Sequence, residues 1–453
     1  MTKWLAFPER APGLTIAAIG VLFAAAYTYG LIALAKPDGR IVVGDAMHEY
    51  VQLRSAVFDR DLRFTNEYLQ LYGLTPQTVD EETRWIVDTN ATGHVRNLMP
   101  VGPALLWAPA FLITTAGVWA ADLVGFSYPL DGYGRVFQAS AGYSGIAAAA
   151  AAAWLAFLAA AAFFDRRSAI WATLAVWLAS SALYYSLVSP TYSHAPSMLA
   201  VSLFCVVWIR TRGRQTLSRY ALLGALAGIA ALMRWQDAVL LVVPAIEALA
   251  AARAEGWSRV IPKIAAASAG AFIAFSPQMF VWERLYGHPL TIPQGAAFMQ
   301  WHAPALVSVL FSDNHGLFTW TPVIALACLG LAPLARRAPL VAAGAIAFLV
   351  ISWYVNAAVA DWWAGEAFGA RRFVGCFPVF VLGTAAVFDR WKTRPLRVVF
   401  CTTVFVALTV LLLVQYEAFM HGARTIAPYP KGFGGLWLAR FVVPFRLLRV
   451  IVK

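Results

Sequence analysis

Long apolar runs alternate with short polar segments along almost the whole chain. They cover residues 14–35, 103–124, 136–163, 168–187, 197–209, 220–233, 238–252, 261–281, 321–335, 338–356, 373–388 and 398–415. A helix needs about 20 apolar residues to cross the hydrocarbon core of a bilayer, and most runs approach that length. The pattern therefore predicts an all-α integral membrane protein, with residues 1–453 in a single polytopic domain. No stretch resembles a large soluble domain in composition.

The basic residues set the predicted topology, because cytoplasmic loops carry an excess of Lys and Arg. Lys3 and Arg10 indicate a cytoplasmic N-terminus. The later clusters of basic residues also lie on the cytoplasmic side only if one early apolar run does not cross the membrane. Residues 103–124 are the best candidate, since they contain Pro103 and Pro109 and follow a long polar segment. We expect about 11 transmembrane helices and a first outer loop at 36–135 with juxtamembrane helices. The clusters then placed in the cytoplasm are Arg166/Arg167, 210–219, 253–263, Arg336/Arg337 and 390–397.

The two ends of the chain are also apolar. The first run has no small-residue cleavage site, so we expect a membrane span rather than a cleavable signal peptide. Residues 433–453 are interrupted by Arg440, Arg446 and Arg449. Because charges are costly at mid-membrane, this segment is expected to be an interfacial amphipathic helix, with a twelfth span as the alternative.

The composition argues against nucleic-acid binding and against a cysteine-based zinc or disulfide framework. The net charge of +12 could indicate nucleic acid, but the basic residues are spread over short membrane-flanking clusters, which argues against that partner. The four cysteines lie in or beside apolar runs without CxxC spacing, so neither a zinc site nor a disulfide framework is indicated.

The first outer loop is acidic and opens with the sequence Gly44-Asp45-Ala46-Met47-His48-Glu49-Tyr50. Asp45 and Glu49 are four residues apart, so a helix would place both carboxylates on one face. A carboxylate near the headgroups could act as a base toward a hydroxyl; the alternative is a solvated acidic loop. Further along, Asp59-x-Asp61 resembles a metal-binding pair, although a lone pair of this kind is weak evidence.

Two short outer segments offer groups for an anion. His194, in the segment 188–196, could contact a phosphate or a metal, or could simply pack in the core. Arg234 lies in the tight turn 233–237, where an intramembrane charge usually has a function. The alternative interpretation is that Arg234 pairs with Asp237 and has a purely structural role.

A third outer segment, residues 357–372, ends in paired arginines. Arg371 and Arg372 have the fork geometry that suits phosphate oxygens, while Asp361 and Glu366 are candidate supporting residues. Gly365 and Gly369 permit tight backbone turns. Anchoring to anionic headgroups is the alternative function of the arginine pair.

Taken together, these features resemble the GT-C superfamily of membrane glycosyltransferases, which includes the lipid A aminoarabinose transferase and protein O-mannosyltransferases. The resemblance rests on the Gly44-Asp45-x-x-x-Glu49-Tyr50 segment and on Asn97-Leu98-Met99-Pro100-Val101-Gly102-Pro103, which looks like the juxtamembrane helix of that family. The order of the predicted elements resembles that of the family over roughly residues 10–280. Many members also carry a large C-terminal soluble domain, which this sequence lacks.

The resemblance implies a GT-C-like helical bundle and an inverting transfer of a sugar from a polyprenyl phosphate to a hydroxyl of a lipid, glycan or protein. Asp45 and Glu49 would be catalytic, with Tyr50, Asp237, Asp361 and Glu366 in support. The donor phosphate would be bound by Arg234, His194, Arg371 and Arg372. No cofactor is implied with certainty and no metal ligand is assigned, but a divalent cation is an open alternative.

The expected location is the bacterial inner membrane, with the site on the periplasmic or extracellular face and membrane lipids as partners. A polytopic transporter or lipid flippase is the main alternative, and a non-catalytic membrane scaffold is a third. Against a transporter, the sequence shows no inverted repeat and no matching pair of broken helices.

Overall fold

The computed structural model describes residues 7–33, 39–422, 427 and 432–451, with the side chains of 253–254 and 447–451 left aside. Lys3 and residues 36–38 and 452–453, which entered the predictions above, lie outside this range. The α-helices are α1 (Phe7–Arg10), α2 (Pro12–Ala33), α3 (Asp45–Arg54), α4 (Thr65–Tyr72), α5 (Gly102–Leu123), α6 (Arg135–Ala160), α7 (Arg166–Leu178), α8 (Ser181–Leu187), α9 (His194–Thr211), α10 (Leu217–Met233), α11 (Val242–Glu255), α12 (Trp257–Tyr286), α13 (Leu306–Phe311), α14 (Leu317–Trp320), α15 (Val323–Arg337), α16 (Pro339–Ala357), α17 (Phe377–Asp389), α18 (Pro395–Met420) and α19 (Gly432–Ile451).

Tighter or wider turns extend several of these helices. They are a π-helical turn at Ser55–Asp59 and 3₁₀ segments at Arg84–Ile86, Trp235–Leu241, Ala296–Phe298 and Arg371–Cys376. Within the described residues there is no β-strand, only the isolated bridges Thr89–Val95 and Met299–Val359. The predicted all-α architecture is therefore confirmed.

Helices of membrane-spanning length dominate the bundle. In the described ranges, nine helices are long and apolar enough to cross a membrane, and a tenth span results if α7 and α8, bent by 73°, count together. The chain is thus a multi-pass membrane protein. The prediction of 11 spans included the apolar runs that form α10 and α15. These two helices have only 17 and 15 residues and are not among the helices of spanning length. Gly102–Leu123 meets the criteria by length and composition, so its predicted position in the outer leaflet stays a prediction.

Small residues let two central helices approach closely. Gly224 and Gly228 lie one turn apart on α10 and face α12. A Cβ atom at Gly224 would lie 1.8 Å from the carbonyl oxygen of Ala267, and one at Gly228 would lie 2.5 Å from that of Ala271. Only glycine fits at such distances, which is the usual role of GxxxG spacing in membranes.

The first loop has a core of its own, built mainly from aromatic side chains. Tyr50, Tyr68, Trp107, Phe111 and Phe137 have no exposed surface and join α3 and α4 to α5 and α6. This packing fixes α3 against the bundle. We call the side formed by 39–101, 188–193, 283–322 and 357–372 the loop face.

Candidate functional site

Four segments far apart in sequence meet on the loop face. The start of α3 supplies Asp45 and Glu49, the start of α9 supplies His194, and the end of α10 leads into Arg234. Arg371 opens the 3₁₀ segment before α17. We call these five residues the acid–arginine cluster.

Asp45 and Arg371 form the ion pair at the open side of the cluster. Their side chains are joined by Nη1···Oδ2 at 2.8 Å and are 30% and 14% exposed, respectively. Gly44 precedes the helix with φ of 55°, and a Cβ atom there would lie 2.9 Å from the hydroxyl of Tyr192. Glycine therefore lets α3 begin against Tyr192, with the Asp45 carboxylate reachable from the aqueous side.

Glu49 lies one helical turn further on and is fully buried. Neither of its carboxylate oxygens has a hydrogen-bond partner among the described residues. Burial raises the pKa of Glu49 well above its usual value, and Asp45 adds to this, whereas the nearby Ser193 hydroxyl, Arg234 and Arg371 act in the opposite direction. The two carboxyl groups therefore differ: Asp45 can meet an acceptor, while Glu49 favours the protonated form.

His194 is also fully buried, and its ring is oriented by Arg234. Nδ1 lies 3.0 Å from Nη1 of Arg234. A guanidinium can only donate, so Nδ1 accepts, and the neutral ring carries its proton on Nε2. That Nε2 is buried and has no partner in the described parts of the chain, and the same holds for Nε of Arg234. The cluster thus presents two N–H donors without an acceptor.

The two adjacent arginines bind different partners in the structure. Arg371 pairs with Asp45 and lies 5.8 Å from the centre of the Tyr192 ring. Arg372 instead donates to Asp361, to the carbonyl oxygen at 2.7 Å and to Oδ1 at 2.8 Å. Only Arg371 belongs to the cluster, and Arg372 with Asp361 stabilises the neighbouring loop.

The other predicted supporting residues have separate roles. Asp237 accepts a hydrogen bond from Ser197 at 2.6 Å, and no Arg234–Asp237 ion pair occurs among the described residues. Tyr50 donates to the carbonyl oxygen of Gly132 at 2.7 Å and packs in the loop core. Glu366 is exposed, and no ion pair or hydrogen bond between it and the cluster occurs among the described residues.

Two tyrosines complete the site and were not singled out from the sequence. The centre of the Tyr185 ring lies 4.1 Å from that of the His194 ring. The ring of Tyr192 is nearly parallel to the His194 ring, with 6.1 Å between the ring centres. The only sequence signal was the position of Tyr192 within 188–196. Tyr185 is buried against His194, whereas Tyr192 is partly exposed and offers a ring on which a sugar could stack.

No group of three or more His, Cys, Asp or Glu able to hold a metal occurs in the described part of the chain. The Asp59-x-Asp61 pair is used internally, since Asp59 binds Arg54 and Asn66, while Asp61 accepts from Ser55 at 2.8 Å. Asp45 and Glu49 are the carboxylates that a cation at the cluster would have to use.

No family model and no curated protein sequence matches the chain. Two solved structures of the Archaeoglobus fulgidus oligosaccharyltransferase resemble it at 13% identity. One, a complex with Zn and sulfate, has a TM-score of 0.44 over 92% of this chain and 58% of that chain. The other, AglB with an inhibitory peptide and a dolichol-phosphate, has 0.42 over 98% and 54%.

The chain therefore spans somewhat more than half the length of those proteins. Because the identity is 13% and both TM-scores are below 0.5, we argue the function from the acid–arginine cluster.

Proposed function

We propose that the protein is an inverting glycosyltransferase that moves a sugar from a polyprenyl phosphate to a hydroxyl acceptor on the outer face of the membrane. One observation carries this proposal: a partly exposed carboxylate, Asp45, lies beside buried N–H donors of His194 and Arg234 that lack an acceptor. A base toward a hydroxyl and an anion site are the two parts that this transfer needs.

In the proposed reaction, the donor phosphate accepts hydrogen bonds from Arg234, His194 Nε2–H and Arg371. An oxygen of the acceptor attacks the anomeric carbon while its proton passes to the Asp45 carboxylate. The bond from that carbon to the phosphate oxygen breaks, and its electron pair stays on the polyprenyl phosphate. This leaving group is a stable anion, so cationic and N–H groups suffice without a general acid.

Arg371 has two roles in this scheme. In the structure it neutralises Asp45, and a bound phosphate would compete for its guanidinium. Donor binding would then free Asp45 to accept a proton only when the substrate is in place. Glu49 is buried and its carboxylate oxygens have no partner among the described residues, so we assign proton acceptance to Asp45 and not to Glu49.

A groove beside Arg234 suits the lipid tail of the donor. It has a volume of about 260 Å³ and is lined mainly by apolar side chains of α10 and α12, including Ala231, Phe272 and Phe275. Trp235, the residue after Arg234, also lines it. A prenyl chain in this groove would bring its phosphate to the turn that holds Arg234.

The location and the acceptor belong to the same proposal. The basic connectors favour a cytoplasmic N-terminus in a bacterial inner membrane, which puts the loop face and its cluster on the periplasmic side. An acceptor lipid, glycan or protein would approach Asp45 from the water.

The proposal is tested with purified protein in detergent, where there are no two compartments for a transporter to connect. Mass spectrometry of co-purifying lipids should show a polyprenyl-phosphate sugar, in an amount reduced by Arg234→Gln. Adding acceptors should convert it to polyprenyl phosphate with release of the sugar product. A lipid that is bound but never turned over with any hydroxyl acceptor would favour a transporter.

A further inference from the structure

The helix α19 carries a buried arginine that plays no part in the acid–arginine cluster. Arg440 has no exposed surface. Its Nη2 donates to the carbonyl oxygens of Thr319 and Trp320 at the end of α14. The guanidinium carbon lies 4.3 Å from the centre of the Trp437 ring. Among the described residues, no carboxylate lies within ion-pair distance of it.

Three N–H donors at this point lack an acceptor in the described parts of the chain. They are Nε and Nη1 of Arg440 and Nε1 of Trp437, and all three are buried. Buried donors in folded proteins are nearly always paired, and an uncompensated buried charge is costly. Residues 423–426 and 428–431, which precede the helix in sequence and lie outside the described ranges, contain no acidic residue. The described residues therefore offer this cation no counter-ion.

The surroundings of Arg440 indicate where a counter-ion would come from. Phe433, Leu438, Phe441 and Phe445 of the same helix are 59%, 64%, 48% and 69% exposed, as expected for a helix in contact with acyl chains. Gly432, which opens the helix, donates to Asp313 on the loop face. The helix thus starts at the loop face and presents apolar side chains outward.

We propose that Arg440 and Trp437 form a binding site for a phosphate anion, filled by the headgroup of an anionic membrane lipid. The unpartnered Nε–H and Nη1–H groups of Arg440 can each donate a charge-assisted hydrogen bond to an anionic oxygen, and Nε1–H of Trp437 adds a third donor. The bound headgroup joins α19 to the end of α14 and supplies the missing negative charge. This site is separate from the proposed donor site and does not depend on it.

The test is native mass spectrometry of the delipidated full chain in detergent, titrated with dioleoylphosphatidylglycerol. Dioleoylglycerol, which lacks the phosphate, and inorganic phosphate serve as probes of the two parts of the ligand. The variants are Arg440→Gln, Trp437→Phe, which keeps an aromatic ring but removes the N–H, and Arg446→Gln as a control. Arg446 is exposed on the same helix.

We expect saturable binding of the phospholipid that Arg440→Gln weakens about tenfold or more and Trp437→Phe about threefold, the usual values of a charged and a neutral hydrogen bond. Arg446→Gln should bind as the wild type does. Inorganic phosphate that displaces the lipid from the wild type would support the phosphate site and identify a soluble anion as a second source.

Equal affinity of wild type, Arg440→Gln and Trp437→Phe would overturn the proposal, as would equal binding of dioleoylglycerol. If Arg440→Gln does not fold, Trp437→Phe alone decides, with its thermal unfolding as the check that the fold is intact.

Discussion

Asp45 and Arg371 are far apart in the sequence, yet their side chains form an ion pair at 2.8 Å on the loop face. The pair links the first residue of α3 to the first residue of the segment that precedes α17. It orients the candidate base, and it holds a candidate phosphate ligand next to it.

The first prediction concerns the base. Asp45→Asn keeps the shape of the side chain but removes the proton-accepting charge. We expect sugar transfer to fall about 100-fold or more, the usual contribution of a general base, while donor binding survives. A transfer assay with a saturating polyprenyl-phosphate sugar, together with donor binding by native mass spectrometry, separates the two.

Glu49→Gln is the control for this variant, because it changes the other carboxylate on the same helix. It should retain far more activity than Asp45→Asn. The reverse result, with Asp45→Asn active and Glu49→Gln inactive, would move the base by one helical turn.

The second prediction separates the paired arginines. Lysine keeps the charge but loses the planar fork. Arg371→Lys should therefore weaken donor binding about tenfold. Arg372→Lys is the matched comparison: it loses part of the contact with Asp361 and should lower the thermal stability more than the donor affinity. If Arg372→Lys impaired donor binding as much as Arg371→Lys, the two arginines would act together.

The third prediction uses the buried carboxyl group of Glu49. Its pKa is raised in the folded protein, mainly by burial, so folding favours the protonated form. As pH rises above the ordinary glutamate pKa, ionisation is easier in the unfolded chain, and stability falls. Wild type should therefore lose stability relative to Glu49→Gln between about pH 4.5 and the raised pKa. Thermal unfolding of both proteins across this range measures the difference, and parallel curves would contradict it.

Much of the fold follows from the sequence, because apolar runs of spanning length leave few alternatives in a bilayer. The site was harder to predict. The spacing of Asp45 and Glu49 placed them on one face, but the burial of Glu49 and the partial exposure of Asp45 follow from tertiary packing, which also brings Ser193 and Arg234 near Glu49. The signal for the α10–α12 contact was available, since Gly224 and Gly228 have GxxxG spacing.

Neighbouring residues can also diverge in ways that the sequence does not show. Arg371 and Arg372 are adjacent, yet a tight 3₁₀ turn directs one to Asp45 and the other to Asp361. Nothing in the order of residues tells which arginine takes which carboxylate. That choice depends on where α3 docks, and so on the aromatic core of the first loop.

The fourth prediction tests the topology. Asp88→Cys and Ser127→Cys flank α5, and both positions are exposed. If α5 does not cross, a membrane-impermeant maleimide added from outside should label both. Thr393→Cys, exposed in a basic connector, should be labelled only after permeabilisation. The four natural cysteines are buried or partly buried, and the unmodified protein gives their background. Labelling of Ser127→Cys only from inside would show that α5 spans the membrane.

The last prediction concerns the proton on His194. Because Arg234 must donate to Nδ1, the other ring nitrogen, Nε2, is the donor available to a phosphate. His194→Phe keeps a ring against Tyr185 but removes both nitrogens, so donor affinity should fall about tenfold. Glutamine can accept from Arg234 through its oxygen and donate through its amide. His194→Gln should therefore keep donor affinity within about threefold of the wild type. Polyprenol, which lacks the phosphate, should bind both variants and the wild type alike. Normal binding of polyprenyl phosphate by His194→Phe would remove His194 from the anion site and leave Arg234 and Arg371 to hold the donor.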